Sequence, residues 1–186
     1  MSRIPCLDTE ALPESLRSLA QGRVINVYRT LGHAPRSVTQ IARLGAALFA
    51  DASLDAVDRE LLILTYGTVY EAEYEWAQHV PISRAVGVTD AQRAAVRAER
   101  YDADVFTPAQ RALLGFAAAA AAAPFVDEAL HTAVAAHYTE EQIVETLVLA
   151  GFYFLLGRVC TVLDVEVDAA QGDELVRMAQ TMHDDH

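Results

Sequence analysis

The sequence predicts an all-α fold, and three observations lead to that prediction. No stretch of the chain alternates apolar and polar residues with a period of two over the length of a strand. Apolar residues recur instead at spacings of three and four, as they do on one face of a helix. Three Thr-x-x-Gln motifs, typical of capping boxes at helix N-termini, also punctuate the chain. They are Thr89/Gln92, Thr107/Gln110 and Thr139/Gln142.

The first helices are predicted from prolines and acidic residues. Pro13, followed by Glu14, opens a helix that can run to Leu31. Pro35 precedes a second helix, over residues 36–49, with apolar positions at helical spacing. The N-terminal part of the chain is therefore expected to contribute two long helices.

The next helices are delimited by an aspartate and two glycines. Asp55 caps a helix that carries an apolar face up to Gly67, and residues 70–86 form another that ends at Gly87. If residues 55–86 were one helix, Glu60 and His79 would lie about 28 Å apart at 1.5 Å per residue. A site shared by these two residues requires a break, which we expect at Gly67 and its neighbours, between Tyr66 and Glu71.

A degenerate internal repeat is apparent at an offset of about 52 residues, and its two halves are residues 53–98 and 105–157. Four features of the first half have counterparts in the second, although Glu60 falls on Ala112. The pairs are Arg59 with Arg111, Leu61 with Leu113, Glu75 with Asp127 and His79 with His131. We predict one domain over residues 1–186, in which the first half carries the chemistry.

Composition and charge exclude several function classes. Fifty-three per cent of the 186 residues are hydrophobic, enough for one buried core. The net charge of 14 − 26 = −12 repels phosphate backbones and anionic lipid surfaces, so we expect no nucleic-acid and no membrane partner. All 14 basic residues are arginine, which excludes Schiff-base catalysis and a Gly-Lys-Ser/Thr phosphate-binding loop.

The N-terminal residues, the longest apolar run and the two cysteines lead us to expect a cytoplasmic protein. The first residues contain no apolar run of signal-peptide length. The longest apolar run, residues 146–157, has 12 residues and is too short to span a bilayer, so we interpret it as a core helix. Cys6 and Cys160 have no metal-type or CxxC spacing, which argues against a disulfide framework or a zinc site.

The residues that could take part in catalysis cluster between positions 59 and 89. Glu75 and His79 are four residues apart, so on a helix they share one face. A carboxylate beside an imidazole sets its tautomer and raises its basicity, as general acid/base catalysis requires. Tyr74 and Trp76 flank the pair and suggest a partly dry setting in which pKa values shift. A surface ion pair is the competing interpretation.

These residues resemble the carboxymuconolactone decarboxylase superfamily, which includes the alkyl hydroperoxidase D proteins. The resemblance covers residues 20–167. It rests on Arg-Glu-Leu at positions 59–61, the block Glu-Tyr-Glu-Trp-x-x-His at 73–79, Gly-Val-Thr at 87–89 and the segment 26–35. It implies a helical, alkyl hydroperoxidase D-like fold and a homo-oligomer, a trimer or a hexamer.

The chain departs from the peroxidase branch of that superfamily. The family motif places a glutamate at Glu60 and a histidine at His79, but its two cysteines fall on Ala72 and Glu75. Thiol peroxidase chemistry needs a thiolate and a resolving thiol. The departure therefore disfavours a peroxidase.

The decarboxylase branch, which also has Glu and His without the cysteine pair, implies a cofactor-free lyase or isomerase that acts on a small organic acid or lactone. On this resemblance His79 transfers the proton, Glu60 orients it or holds the second proton position, and Glu75 tunes polarity or contacts substrate. Two carboxylates in one apolar pocket cannot both ionise cheaply, so one should titrate high. Tyr74, Trp76 and Arg84 are the predicted substrate-binding residues, with Arg59 and Arg29 as further candidate cations.

Two other interpretations stay open at this point. Glu60, Glu75 and His79 could bind a divalent metal as a facial set with open positions, although the resemblance implies a site without metal. The protein could also be a non-catalytic, oligomeric structural or binding protein with a vestigial pocket.

Overall fold

The computed structural model describes residues 2–20 and 24–168 of the chain, and every regular element in that part is helical. This confirms the predicted all-α fold. A short 3-10 helix, Thr9–Ala11, is followed by α1 (Glu14–Ala20), α2 (Asn26–Leu31), α3 (Pro35–Ala50), α4 (Ala56–Val69), α5 (Glu73–Ala85), α6 (Asp90–Arg97), α7 (Pro108–Ala122), α8 (Glu128–Ala135) and α9 (Glu140–Leu163).

The helix starts predicted from capping motifs are all present, whereas the helix predicted over residues 70–86 begins at Glu73. In α6, α7 and α9 the threonine hydroxyl accepts a hydrogen bond from the glutamine N–H three residues on, at 3.2, 3.1 and 3.3 Å. The glutamine side-chain oxygen in turn accepts from the threonine N–H at 2.9, 3.2 and 3.0 Å. Asp55 caps α4 through two backbone N–H groups, each at 2.9 Å. These starts depend on local chemistry, which is why the sequence reveals them.

The single helix predicted from Pro13 to Leu31 is wrong. Two helices occupy this stretch, α1 and α2, and residues 21–23 between them lie outside the described part of the chain. The N-terminus of α2 is capped by a distant residue, because the Asn26 N–H donates to both carboxylate oxygens of Asp168 at 3.1 Å. A cap 142 residues away leaves no local signal in the sequence.

The chain turns between α4 and α5 at Glu71 rather than at Gly67. Helix α4 continues through Gly67 to Val69, so the expected break at Gly67 was wrong, although the turn falls within the predicted segment. Glu71 adopts a left-handed φ of 54°, uncommon for a residue with a side chain. A Cβ at Gly67 would lie 3.5 Å from the Trp76 backbone nitrogen, an ordinary van der Waals distance, so the helix continues there without requiring a glycine. The turn folds α5 back against α4.

Helix α4 lies at the centre of the bundle, packed against α5, α6, α7 and α9. All of its residues from 58 to 67 are buried. A helix that is buried on every face carries even its charged side chains into the core, where such groups need partners. This position places Arg59 and Glu60 in the interior.

The two predicted halves of the chain begin alike. The Arg59 guanidinium donates to the Phe49 carbonyl through Nη1 at 3.1 Å, and the Arg111 guanidinium donates to the Phe106 carbonyl at 3.0 Å. In each case the arginine of the half-repeat holds the segment that precedes its own helix. The internal repeat itself stays a prediction.

Helix α9 is twice as long as the apolar run that predicted it. With 24 residues and an 18-residue window of mean hydropathy 1.9, it could by length and composition cross a membrane, so the length argument against a span was wrong. Forty-four per cent of that window is buried inside the protein. Its inner face packs against α5, where Gly157 lies so close that an added Cβ would be 2.9 Å from the Ala72 Cβ. Helix α9 thereby packs against the turn that joins α4 to α5.

Candidate active site

Glu60 of α4 and His79 of α5 form a buried, hydrogen-bonded pair. The Nδ1 atom of His79 lies 2.9 Å from Oε2 of Glu60, and the side chains are 7% and 0% exposed respectively. The turn at Glu71 brings them together across 19 positions of sequence. A carboxylate at Nδ1 favours the tautomer in which Nδ1 carries the proton and Nε2 presents a lone pair.

Tyr153 of α9 contacts the second ring nitrogen of His79, and sequence reasoning missed this residue. Its hydroxyl lies 2.9 Å from Nε2 of His79, so in that tautomer the phenol donates to the imidazole. Burial raises the pKa of Tyr153, and the charges of Glu60 and Glu75 raise it further, so the phenol is neutral. One signal in the sequence could have identified it: Tyr153 is the single tyrosine within the apolar run 146–157. A buried tyrosine hydroxyl needs a hydrogen-bond partner, so this residue was a candidate for a polar contact in the core.

Glu75 lies one turn before His79 on the same face of α5 and is 3% exposed. Burial raises the pKa of Glu75 to about 7, although the His79 charge and a hydrogen bond from Cys160 lower it. The Cys160 Sγ lies 3.7 Å from Oε1 of Glu75. Burial also raises the pKa of the Cys160 thiol, with the Glu75 charge adding to the effect, so the thiol is a hydrogen-bond donor and a poor nucleophile. Glu75 can serve as an acid or a base near neutral pH.

Aromatic rings surround the imidazole. The Phe49 ring of α3 stacks on His79 with centroids 6.0 Å apart, and the Tyr153 ring meets it edge-on at 5.2 Å. On α3, Gly45 makes room for Tyr28, whose hydroxyl would lie 2.9 Å from a Cβ at that position. Burial and the Glu75 charge raise the pKa of Tyr28. Helices α2, α3 and α9 thus line the site with flat, largely apolar surfaces.

Tyr74, one of the predicted substrate-binding residues, has structural partners. Its hydroxyl donates to Oδ2 of Asp168 at 2.5 Å and accepts the Val27 N–H at 3.2 Å. The same aspartate caps α2. Tyr74 therefore joins α5 to α2 and to residue 168.

Trp76 and Arg84 also make contacts away from the imidazole. The Arg97 guanidinium lies over the Trp76 ring, 4.7 Å from its centroid. The Arg84 side chain is 63% exposed and lies 3.7 Å from the Asp90 carboxylate. The structure gives all three predicted substrate-binding residues other partners and brings only Glu60, Glu75 and His79 together.

The other two candidate cations are held by the protein. Arg29 donates to the Leu7 carbonyl at 2.8 Å and to the Asn26 side chain at 3.0 Å. Arg59 is 6% exposed, and its guanidinium lies 4.7 Å from the Phe49 ring centroid. Its Nε atom is buried without a hydrogen-bond partner in the described part of the chain.

The donor set does not have the form of a metal site. Among residues 2–20 and 24–168, no three His, Cys, Asp or Glu side chains are grouped so that they could hold a metal ion. Both ring nitrogens of His79 already face hydrogen-bond partners, Glu60 and Tyr153. The geometry matches proton transfer better than metal ligation.

Residues 35–119 match the model of the carboxymuconolactone decarboxylase family. The matched segment contains Glu60, Glu75 and His79, and Tyr153 lies beyond it. No curated protein sequence matches the chain significantly.

Solved structures show the same fold over nearly the whole chain. The alkylhydroperoxidase AhpD core of an uncharacterized peroxidase-related protein from Ralstonia eutropha JMP134 is 26% identical, with a TM-score of 0.79 and 96% of each chain covered. A cysteine-to-alanine variant of the debrominase Bmp8, in complex with 2,3,4-tribromopyrrole, is 19% identical, with a TM-score of 0.76 and 97% and 98% covered. An uncharacterized peroxidase-related protein from Silicibacter sp. TM1040 is 17% identical, with a TM-score of 0.75 and 90% and 92% covered.

Proposed function

This chain belongs to the carboxymuconolactone decarboxylase and alkyl hydroperoxidase D-like superfamily, and on that premise we propose that it is a cofactor-free acid/base lyase or isomerase of a small organic acid or lactone. The observation that carries the proposal is the buried chain Glu60–His79–Tyr153, with the carboxyl group of Glu75 beside it. A small cyclic substrate is consistent with the tribromopyrrole bound by the debrominase Bmp8.

The Glu60–His79–Tyr153 chain can move a proton with side chains alone. As a substrate atom gives its proton to the Tyr153 oxygen, the phenol proton passes to Nε2 of His79. The carboxylate of Glu60 at Nδ1 stabilises the imidazolium that forms. Glu75 has a pKa of about 7 and is partly protonated near neutral pH, so it can return a proton to a second substrate atom, such as the carbon that has lost carbon dioxide.

A substrate panel tests this proposal directly. The purified chain is incubated with small unsaturated acids and lactones, with and without a chelator, and products are followed by mass spectrometry. Turnover that the chelator leaves unchanged supports the acid/base mechanism, and turnover that the chelator abolishes favours the metal interpretation. Absence of turnover across the panel favours a binding protein with a vestigial pocket.

We expect no thiol peroxidase activity. Ala72 and Glu75 replace the redox cysteines, and the pKa of the Cys160 thiol is raised, so no reactive thiolate is available at the site. A variant with Cys6→Ala and Cys160→Ala should retain any genuine turnover; alkylation is a poorer test because Cys160 contacts Glu75. Reduction of organic hydroperoxide by dihydrolipoyl donors, lost in the double variant, would instead establish the peroxidase alternative.

We also propose that the protein is a homo-oligomer, a trimer or a hexamer, assembled through the outer face of α9. Apolar side chains on that face are exposed: Val144 (58%), Leu147 (46%), Val148 (41%), Phe154 (46%), Leu155 (38%) and Val162 (53%). Val144, Val148, Leu155 and Val162 follow the alternating spacing of four and three that is typical of a helix that packs against another helix, with Gly151 and Arg158 at the two intervening positions. A second copy of the chain would cover this face.

Light scattering tests the assembly at micromolar protein concentration. The wild-type chain should be oligomeric, and Leu155→Glu should shift it towards the monomer because a charge would lie in the apolar contact. Phe125→Glu is the matched control, since Phe125 is 88% exposed and lies outside α9. A monomeric wild-type chain, or binding of the chain to lipid vesicles through α9, would contradict the proposed assembly.

A further inference from the structure

One oxygen of the Glu60 carboxylate is left without a donor. His79 binds Oε2 at 2.9 Å, whereas Oε1 is buried and accepts no hydrogen bond from the residues that the structure describes. A buried acceptor without a partner is costly, above all in a carboxylate, and natural proteins seldom leave one in this state without a functional reason. The unpaired oxygen lies on the same carboxyl group that supports the proposed proton-transfer chain.

The Glu60 carboxylate itself disfavours an anion at Oε1. Its charge and that of Glu75 both act on the Tyr153 hydroxyl, at the other ring nitrogen of His79, and raise the pKa of that phenol. A substrate carboxylate placed against Oε1 would meet like charge in a medium that screens poorly.

The buried cation next in sequence donates to a backbone carbonyl and not to Oε1. Arg59 and Glu60 are consecutive on α4, so their side chains leave the helix about 100° apart. The guanidinium of Arg59 turns to the Phe49 carbonyl, as that of Arg111 turns to the Phe106 carbonyl in the second half. Its position is set by the backbone that it holds.

The surrounding surfaces suit a flat molecule. Phe49 stacks on the imidazole with an interplanar angle of 29°, and the Tyr153 ring stands nearly perpendicular to it at 80°. Offset-stacked and edge-on contacts are the arrangements that aromatic rings prefer. A small planar ring that reaches Glu60 would meet aromatic surfaces on the same imidazole.

We propose that Oε1 of Glu60 binds the O–H or N–H of a small planar ring whose donor group is uncharged, as in an enol, a phenol or a pyrrole-type ring. This inference rests on the proposed function, because it concerns the same site, and it narrows the substrate class. The end of the substrate that meets Glu60 is a neutral hydrogen-bond donor, and any carboxylate that the substrate carries lies at its other end.

Three probes that differ in one group test the inference on the wild-type chain. Phenol supplies the donor, anisole has the same ring without the donor, and benzoate carries a carboxylate. Calorimetric titration should show phenol binding about tenfold or more tightly than anisole, the ratio expected for a hydrogen bond to a charged acceptor, with benzoate weakest.

Two variants localise the effect. Glu60→Gln should bring the phenol-to-anisole ratio towards one, because the charged acceptor is lost. Asp58→Asn is the matched control on the same helix, since both oxygens of Asp58 already accept hydrogen bonds, from Gln110 at 3.0 Å and Tyr138 at 2.6 Å. It should leave the ratio unchanged. Thermal unfolding of both variants shows whether they fold.

The outcomes separate this inference from the proposed function. Equal affinity for phenol and anisole, or no binding of either at millimolar concentration, overturns it and leaves water as the partner of Oε1. Tightest binding of benzoate also overturns it and assigns recognition to Arg59. The third outcome is a preference for phenol together with no turnover of any acid or lactone in the panel. This outcome supports the inference about Oε1 and contradicts only the proposed lyase or isomerase activity.

Discussion

Replacement of His79 by glutamine is expected to lower turnover about 10²- to 10⁴-fold, the usual cost of removing a group that transfers protons. The physical reason is that His79 connects the Glu60 carboxylate to the Tyr153 phenol, at 2.9 Å on each side. Glutamine retains an amide that can still form hydrogen bonds there but cannot accept a proton near neutral pH. The measurement is the steady-state rate on whichever panel substrate the wild-type chain converts.

Alanine at position 79 is a less informative change. It would leave a buried carboxylate oxygen and a buried phenol without partners, so it should destabilise the fold as well as the chemistry. His131→Gln is the matched control, because the predicted repeat pairs His131 with His79 and His131 is exposed. Equal losses of turnover in the two variants, or none in His79→Gln, would remove His79 from the mechanism.

Replacement of Glu75 by glutamine is expected to change how stability depends on pH. Burial raises the pKa of Glu75 from its ordinary value of 4.5 to about 7. In this pH range the folded protein binds more protons than the unfolded chain, so the free energy of unfolding of the wild type falls as pH rises from about 4.5 to about 7. A shift of this size corresponds to about 3 kcal/mol. Glu75→Gln removes the titrating group and that contribution.

Urea unfolding of wild type and Glu75→Gln at several pH values measures this difference. The stability of the variant relative to the wild type should increase by up to about 3 kcal/mol between pH 4.5 and pH 8. Glu73→Gln is the control, because the Glu73 side chain is 68% exposed on the first turn of the same helix and its pairing with Arg97 is screened by solvent. A difference that does not vary with pH would show that Glu75 titrates as an ordinary carboxyl group.

The starts of α4, α6, α7 and α9 could be predicted because each depends on contacts within three residues. Asp55 and the three threonines satisfy the first N–H groups of their own helices, so the information is contiguous in the sequence. The break between α4 and α5 could be predicted to within a few residues, but not its position at Glu71. Gly67, the expected breaker, lies inside α4, where every residue from 58 to 67 is buried by tertiary packing.

The missed residues share a different property, since each acts across a long separation in sequence. Asp168 caps α2 and binds Tyr74 from 142 and 94 positions away, and Tyr153 reaches His79 across 74. Neither has a motif around it. The face on which a buried tyrosine or aspartate finds its partner depends on how helices pack, and local spacing carries no record of that packing.

Periodicity and capping chemistry, which are local, were enough to predict an all-helical protein and the starts of most of its helices. The spacing of Glu75 and His79 marked them as an acid/base pair, and the family resemblance added Glu60, with a turn that would bring it to His79. Tertiary packing supplied what no local pattern contains, namely that Tyr153 occupies the second ring nitrogen of His79 and that burial raises the pKa of Glu75. Desolvation and hydrogen-bond geometry depend on the distances between helices, and those distances exist only once α4, α5 and α9 have packed together.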